Sequence, residues 1–431
     1  MPVHGEVRIE DIGGTRRTRM AQQSRSRASR TSRPGRSAWW PALWAFLIAF
    51  TVVVSSGAVL LTAQVMDEDS RPARTSDRIA TIGAGTQPSA SPAASPEETE
   101  AEPPAVPETT QLITLAPRRV VDRRRPDSAL RAGAEVKVPL PGVSAKSVAV
   151  LLEVSVLESA RAGKVTLVCG GQTTPVLQLA AAGAQTSATV VVQLGACRDL
   201  KARTEAGGDL VVTLAGAFEP AATARAGRLL PIPAEQALVL FPGKDGNRAT
   251  IDPAKLDLDG TPRAEVGALL LTFQADVGKH GGTVAVGSSW KNLDHQVYWG
   301  ATSSSDRTRR GFLIVPVSSG PLRLYYHAGT KLTVDVVGLV TGKQAAEESA
   351  GLSVPVPAKP LPPVIVPAGG RADVDLPGAE AAKAALVTTA TTPKGGKPRA
   401  VLGFFDVRSG AVRVNGPEQA KVTLTPRLLI R

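Results

Sequence analysis

Three regimes of apolar and polar patterning divide this chain. The first is SAWWPALWAFLIAFTVVVSSGAVLLTAQVM, from Ser37 to Met66, which contains no charged side chain. The second, residues 67–111, has no apolar period and ends in the mixture GTQPSASPAASPEETEAEPPAVPETT. In the third, short segments alternate apolar and polar residues with a period of two, the mark of half-buried strands. They include VKVPL, VAVLLEVSV, KVTLV and ATVVVQL, and later ALLLTFQADV, TVAVG, FLIVPV, LRLYY and LTVDVVGLV. Val, Thr and Leu dominate them, and Pro-Gly, Gly-Gly and Asp-Gly punctuate them. Outside the uncharged run, no amphipathic helix of useful length is predicted.

The strand pattern repeats. AGAEVKVPLPG at 132–142 returns as AGGRADVDLPG at 368–378. Between them, at an offset of 118, LDLDGTPRAEVGALLLTFQA places Leu258 and Gly260 on Leu140 and Gly142, and Val266–Leu270 on Val148–Leu152. DLVVTLAGAF, KLTVDVVGLV and AKVTLTPRLLI read as one closing strand written three times. A period near 118 is too long for solenoid coils or propeller blades, which use about 20–50 residues. It predicts complete domains, and several short strands in each predict β-sandwiches. The fold class expected is therefore all-β beyond the spacer: three tandem β-sandwich domains at 112–220, 228–342 and, shortened, 352–431. The LPG at 140–142 reads as a turn in which Gly142 takes a positive φ.

As a helix the 30 uncharged residues would span about 45 Å, more than the ~30 Å hydrocarbon core of a bilayer. Trp39, Trp40 and Trp44 cluster at one end, where indoles favour the interface. Nine Arg precede the run, and Asp67, Glu68 and Asp69 follow it. The positive-inside rule then places residues 1–37 in the cytoplasm as a disordered basic tail and everything after the span outside. Residues 38–66 are expected to be an uncleaved signal anchor in contact with membrane lipid. A cleaved signal peptide is the alternative, but its apolar run is usually only about 7–15 residues. Residues 67–111 are a Pro/Ala/Ser/Glu-rich linker.

Aromatics make up only 4% of the chain, so its cores must be built from Val, Leu and Ala. The net charge is +12, and from Arg118 onward 38 basic residues face 26 acidic ones. An excess of base can serve nucleic acid, but outside a membrane no nucleic-acid partner is expected. A wall glycan, an anionic wall polymer or an envelope protein remain. The only cysteines are Cys169 and Cys197, both on the outer side of the span. An oxidising compartment favours a disulfide between them; two buried free thiols are the alternative.

Pro117, the phrase VVDRR (Val120–Arg124), Cys169 after a central strand, Cys197 and DVVGL (Asp335–Leu339) together resemble the β-domains common in secreted and surface proteins of actinobacteria. Those domains open on a proline and an L-D-T-R phrase, carry two cysteines about 30 residues apart, and close on D-V-x-G-Y. The resemblance implies an extracytoplasmic, wall-associated β-domain. It supplies no catalytic residues.

Candidate chemistry is sparse. His280, His295 and His327 have no metal-ligand spacing, and Asp294-His295 is an acid–base pair by adjacency only. KLDLDG (Lys255–Gly260) resembles part of a calcium loop, but Lys255 holds its first position and Val266 its twelfth, so it reads as a turn. No phosphate loop or dinucleotide motif is present, and neither an enzymatic activity nor a cofactor is expected. One segment, Ser288–Phe312, concentrates Trp290, Asn292, Asp294, Tyr298, Trp299, Arg307, Arg309 and Arg310. Aromatics with polar neighbours suit a sugar surface, and arginines suit an anionic polymer. These eight are the candidate ligand-binding residues; the alternative is that both tryptophans pack the core of the second domain. The function expected is non-enzymatic: structural or binding in the cell envelope, or else scaffolding of an envelope protein by edge-strand pairing.

Overall fold

The computed structural model describes residues 109–125, 127–241, 247–278, 281–300, 308–327, 331–393, 399–416 and 419–431. The basic tail, the uncharged run and nearly all of the linker lie outside the described residues. Among the described residues no helix is long and apolar enough to cross a membrane. They form an all-β structure of several sheets, consistent with β-sandwich domains, broken only by single 3-10 turns at Pro253–Lys255 and Arg263–Glu265.

The first repeat contains β1 (Thr110–Asp122), β2 (Glu135–Lys137), β3 (Ala149–Val156), β4 (Gly163–Cys169), β5 (Gln172–Leu179), β6 (Thr186–Gln193), β7 (Lys201–Thr204) and β8 (Leu210–Pro220). The antiparallel sheets β6-β3-β8-β1 and β2-β7-β4-β5 enclose Val150, Leu152, Val154, Val165, Leu167 and Val212. Cys169, at the end of β4, is disulfide-bonded to Cys197, which follows β6, with Cα atoms 5.7 Å apart.

The second repeat contains β9 (Leu229–Leu240), β10 (Asn247–Ile251), β11 (Val266–Asp276), β12 (Gly282–Gly287), β13 (His295–Trp299), β14 (Thr308–Pro316), β15 (Leu322–His327) and β16 (Lys331–Thr341). Here β14-β11-β16-β9 and β10-β15-β12-β13 enclose Leu269, Leu271, Phe273, Val284, Val297 and Tyr326. The third repeat is shorter: β17 (Ser353–Pro355), β18 (Val364–Val366), β19 (Gly370–Asp375), β20 (Ala384–Pro393), β21 (Arg399–Arg408), β22 (Ala411–Gly416) and β23 (Ala420–Ile430). Its core holds Val354, Val374, Leu376, Val387, Val412 and Leu424.

The repetition in sequence is a repetition of hydrogen bonding. Each repeat orders an opening, closing, central and following strand side by side: β1-β8-β3-β6, β9-β16-β11-β14 and β17-β23-β20-β21. The turn glycines Gly142, Gly260 and Gly378 all take a positive φ, between 72° and 77°, where a Cβ would be strained. Each central–closing pair also carries a β-bulge at the same place. The register slips between Leu151 and Leu152, between Leu270 and Leu271, and between Leu386 and Val387. Structural equivalence therefore pairs Leu151 with Leu270, whereas the offset of 118 pairs Leu152 with Leu270. The stretch from turn glycine to bulge leucine is nine residues in the first repeat and ten in the second. One extra residue in that loop shifts the strand by one, and a one-residue shift exchanges the two faces.

The bulge marks where the faces divide. Before it, the pattern Ala-x-Leu (Ala149 and Leu151, Ala268 and Leu270, Ala384 and Leu386) points away from each repeat's own core into a fourth core shared by all three. Phe218, Leu112, Phe312, Ile314, Leu402 and Leu428 also belong to it. Burying leucines and phenylalanines of this kind contributes about 1.5–3 kcal/mol each. Close approach depends on glycine: a Cβ at Gly338 would lie 2.9 Å from the Leu230 carbonyl oxygen and 3.2 Å from the Phe404 ring. Single bridges, Thr110 to Ser353 and Trp299 to Thr186, join the repeats into one fifteen-stranded sheet. The three repeats thus belong to one compact unit.

Candidate functional site

Strand alternation builds a mixed polar and aromatic surface on the second repeat. In β15, Leu322, Leu324 and Tyr326 turn into the core, so Arg323, Tyr325 and His327 turn outward. Register places Arg248 of β10 opposite Tyr325, Tyr325 opposite Ala285 of β12, and Ala285 opposite Gln296 of β13. The adjacent row holds His327, Thr283 and Tyr298, and the row on the other side holds Thr250, Arg323 and Gly287. Small residues (Thr283, Ala285, Gly287) therefore run along the middle strand. Larger ones stand on the strands to either side, and the Tyr325 and His327 rings stack with centroids 6.3 Å apart.

One end of this surface is closed by the loop from Gly287 to His295. The Asn292 backbone N–H donates to the Ser289 carbonyl and to its hydroxyl, at 3.1 and 3.2 Å. A Cβ at Gly287 would fall 1.8 Å from the Asn292 carbonyl oxygen, so only glycine lets the loop fold back so closely. The loop carries Trp290, which is 38% exposed. The Arg248 and Arg323 guanidinium carbons lie 5.2 and 5.7 Å from its ring centroid. Among the described residues neither arginine has a carboxylate partner.

The predicted residues separate by strand phase. Trp290, Asn292 and Asp294 are exposed on the one loop, and Tyr298 stands half-buried on the same sheet face. The Tyr298 hydroxyl donates to Gln296. Burial pushes its phenol up, against the opposing pull of Arg119 and Arg124, so it remains a donor at neutral pH. Trp299, 4% exposed, belongs to the core of the second repeat, and its indole donates to the Arg310 carbonyl oxygen at 3.1 Å. Arg309 and Arg310 lie on β14, in the other sheet of that repeat. Arg307 and His280 lie outside the described residues. Sequence reasoning missed Arg248 and Arg323, which reach Trp290 from strands distant in the chain. Their outward phase in NRATI and LRLYYH was the available signal.

A second polar cluster is buried between repeats. Glu153 of β3 and His295 of β13 are 5% and 2% exposed, with Oε1 and Nδ1 2.5 Å apart. Among the described residues Glu153 Oε2 has no hydrogen-bond partner. It borders a small cavity lined also by Ser187, Thr189, Gln296, Arg310 and Phe312. Removing one member of such a pair costs about 3–5 kcal/mol, so this cluster reads as a structural tie between the first two repeats. The segment after β16 is tied in a similar way. The buried Arg228 guanidinium meets Glu348 at 2.7 Å and donates to the Ala346 and Ala350 carbonyls. In KLDLDG, the Asp257 carboxylate accepts from the Asp259 amide at 3.1 Å, and Asp259 and Gly260 take positive φ: it is a turn. Among the described residues no three His, Cys, Asp or Glu side chains gather as metal ligands.

No protein-family model matches the chain, and no curated protein sequence matches it. Among solved structures it is similar to the N-terminal CBM22-1–CBM22-2 tandem domain of Xyn10C from Paenibacillus barcinonensis. That likeness has 11% identity, covers 55% of this chain and 94% of that one, and has a TM-score of 0.14. It is also similar to dimeric latent PorU from Porphyromonas gingivalis, with 12% identity, 75% of this chain and 33% of that one covered, and a TM-score of 0.17. At such scores neither likeness bears on the surface around Trp290.

Proposed function

We propose that the chain is a non-enzymatic protein of the cell envelope that holds an anionic wall polymer. In this reading residues 1–37 lie in the cytoplasm and 38–66 anchor the chain in the membrane. The spacer 67–111, up to about 140 Å long if extended as polyproline II, carries the three repeats outward, as the actinobacterial resemblance implies. The observation that carries the reading is the shared core. It locks three repeats into one body, so that the described part of the basic excess, which from Arg118 onward is 38 against 26 acids in the sequence, sits at fixed separations. Fixed cations that meet one polymer at several points gain avidity without new contacts. The Cys169–Cys197 disulfide supports the outward placement, because such bonds persist in oxidising compartments.

The test is retention of the full chain on isolated cell wall as salt is raised. Exposed charge attraction weakens as the Debye length shrinks from about 10 Å at 0.1 M to about 3 Å at 1 M. Retention should fall steeply over that range; absence of binding at low salt refutes the reading. One feature favours a protein partner instead: Ile365, 60% exposed, on the short strand β18. Co-purification of the chain with a single membrane protein, lost in Ile365→Asp, is the result that reading requires.

A further inference from the structure

We propose that the outer face of β10-β15-β12-β13 is a saccharide site for a sugar bearing an oxyanion, with the ring against Trp290 and the oxyanion between Arg248 and Arg323. This rests on the envelope-polymer reading and names the polymer's chemistry. Two guanidinium groups within 6 Å of one ring centroid repel each other. Contact with an exposed indole returns little for each, and no described carboxylate offsets the repulsion. A phosphate or carboxylate between them does so, through charge-assisted and bidentate hydrogen bonds that neutral groups cannot match.

The rest of the face selects what carries the oxyanion. The middle strand β12 turns only Thr283, Ala285 and Gly287 to this face, and the Asn292 carbonyl covers Gly287. The low line that remains runs from Thr283 to Ala285, about 7 Å at ~3.3 Å per residue. Tyr325 and His327 stand on one side of this line, Gln296 and Tyr298 on the other. An occupant suited to this face presents flat C–H faces to aromatic rings and offers hydroxyls to amide and phenol groups. A sugar meets both demands. The site is also held in shape before any ligand arrives. Both arginines stand on paired strands, and the Trp290 loop is folded back on Gly287 and fixed by Ser289 and Asn292. Little ordering cost then opposes binding.

The experiment titrates the full chain with four probes, following heat and tryptophan fluorescence. They are a tetra-uronate, a sugar 6-phosphate, a neutral tetrasaccharide and polyglutamate. The tetra-uronate or the sugar phosphate should bind and quench fluorescence, and the stronger of the two identifies carboxylate or phosphate as the natural group. The neutral tetrasaccharide should bind at least ~10-fold more weakly. Trp290→Ala should weaken the anionic sugar ~10-fold or more. Arg248→Gln/Arg323→Gln should erase the preference for anionic over neutral sugar. Arg309→Gln/Arg310→Gln, on the opposite sheet, should change neither, and circular dichroism should show every variant folded. The site is overturned if Trp290→Ala and Arg248→Gln/Arg323→Gln bind like the parent, or if polyglutamate binds as well as the sugars. If no probe binds while the chain still adheres to isolated wall, the site fails and the envelope reading stands. If wall adhesion is also absent, both fail.

Discussion

Truncating Leu270 asks whether the three repeats unfold together. Leu270 is fully buried, faces the shared core, and sits at the bulge opposite Gly338. Its neighbour Leu271 is as deeply buried but faces the core of the second repeat alone. Leu→Ala at either position removes a similar transfer energy and leaves a cavity, about 2–5 kcal/mol. The consequence differs by face. Leu270→Ala weakens contacts made by all three repeats, so a urea titration of the full chain should keep a single transition at a lower midpoint. Protease cleavage between repeats (around 221–228 and 342–352) should also rise below that midpoint. Leu271→Ala should lower the midpoint with no such rise. Far-UV circular dichroism reads the whole β structure, and the change in tryptophan fluorescence on exposure of buried Trp299 reads the second repeat, above the signal of the other four tryptophans. Coincidence of the two curves is the signature of one cooperative unit. Three separated transitions in the parent chain, with Leu270→Ala moving only one of them, refute the shared-core argument.

Two further expectations follow from buried groups. Arg427 is the bulged residue of the third repeat, where the first two carry Ala215 and Val337. Burial pushes its guanidinium down to about 10, which keeps it charged at neutral pH at a cost to the folded state of about 3 kcal/mol. Arg427→Val should therefore raise stability by ~1–2 kcal/mol after loss of the hydrogen bond to Thr388. The gain should shrink above pH ~10, where the folded arginine loses its proton and the unfolded one keeps it. An unchanged or lower melting temperature in Arg427→Val contradicts this. Cys169→Ser/Cys197→Ser opens a loop of 28 residues and should cost about 3.5 kcal/mol. Non-reducing peptide mapping that finds two alkylatable thiols in the parent chain rules the bond out.

Much of the fold was legible because strands alternate. LRLYY declares its inner and outer faces residue by residue, and segments of that kind announce the all-β class. The shared core was not legible, and AVLLEVSV shows why. All eight of its residues are buried, since both faces of β3 are covered. A strand apolar on both sides reveals that it is covered but not by what. The bulge hid the equivalence further, because one extra loop residue moved the second copy by one position. In the candidate site, Trp299 shares the phase of Val297 and so belongs to the core, whereas Trp290 falls in a loop without phase. Its arginine neighbours come from two other strands, a proximity that only register creates. Glu153 lies inside the apolar run AVLLEVSV, and its partner His295 lies 142 residues away.

The joint at Thr110 also bears on mechanics. A pull applied at Thr110 acts on the first residue of β1. There the Thr110 side chain is bonded to the Ser353 carbonyl and hydroxyl, at 2.9 and 2.8 Å, so the load is shared at once with the third repeat. Beyond it, β1 runs antiparallel to β8 through nine paired positions. A pull along the strand strains those bonds in parallel, as shear, and does not peel them one by one. A pull at Thr110 is thereby resisted by two repeats from the outset.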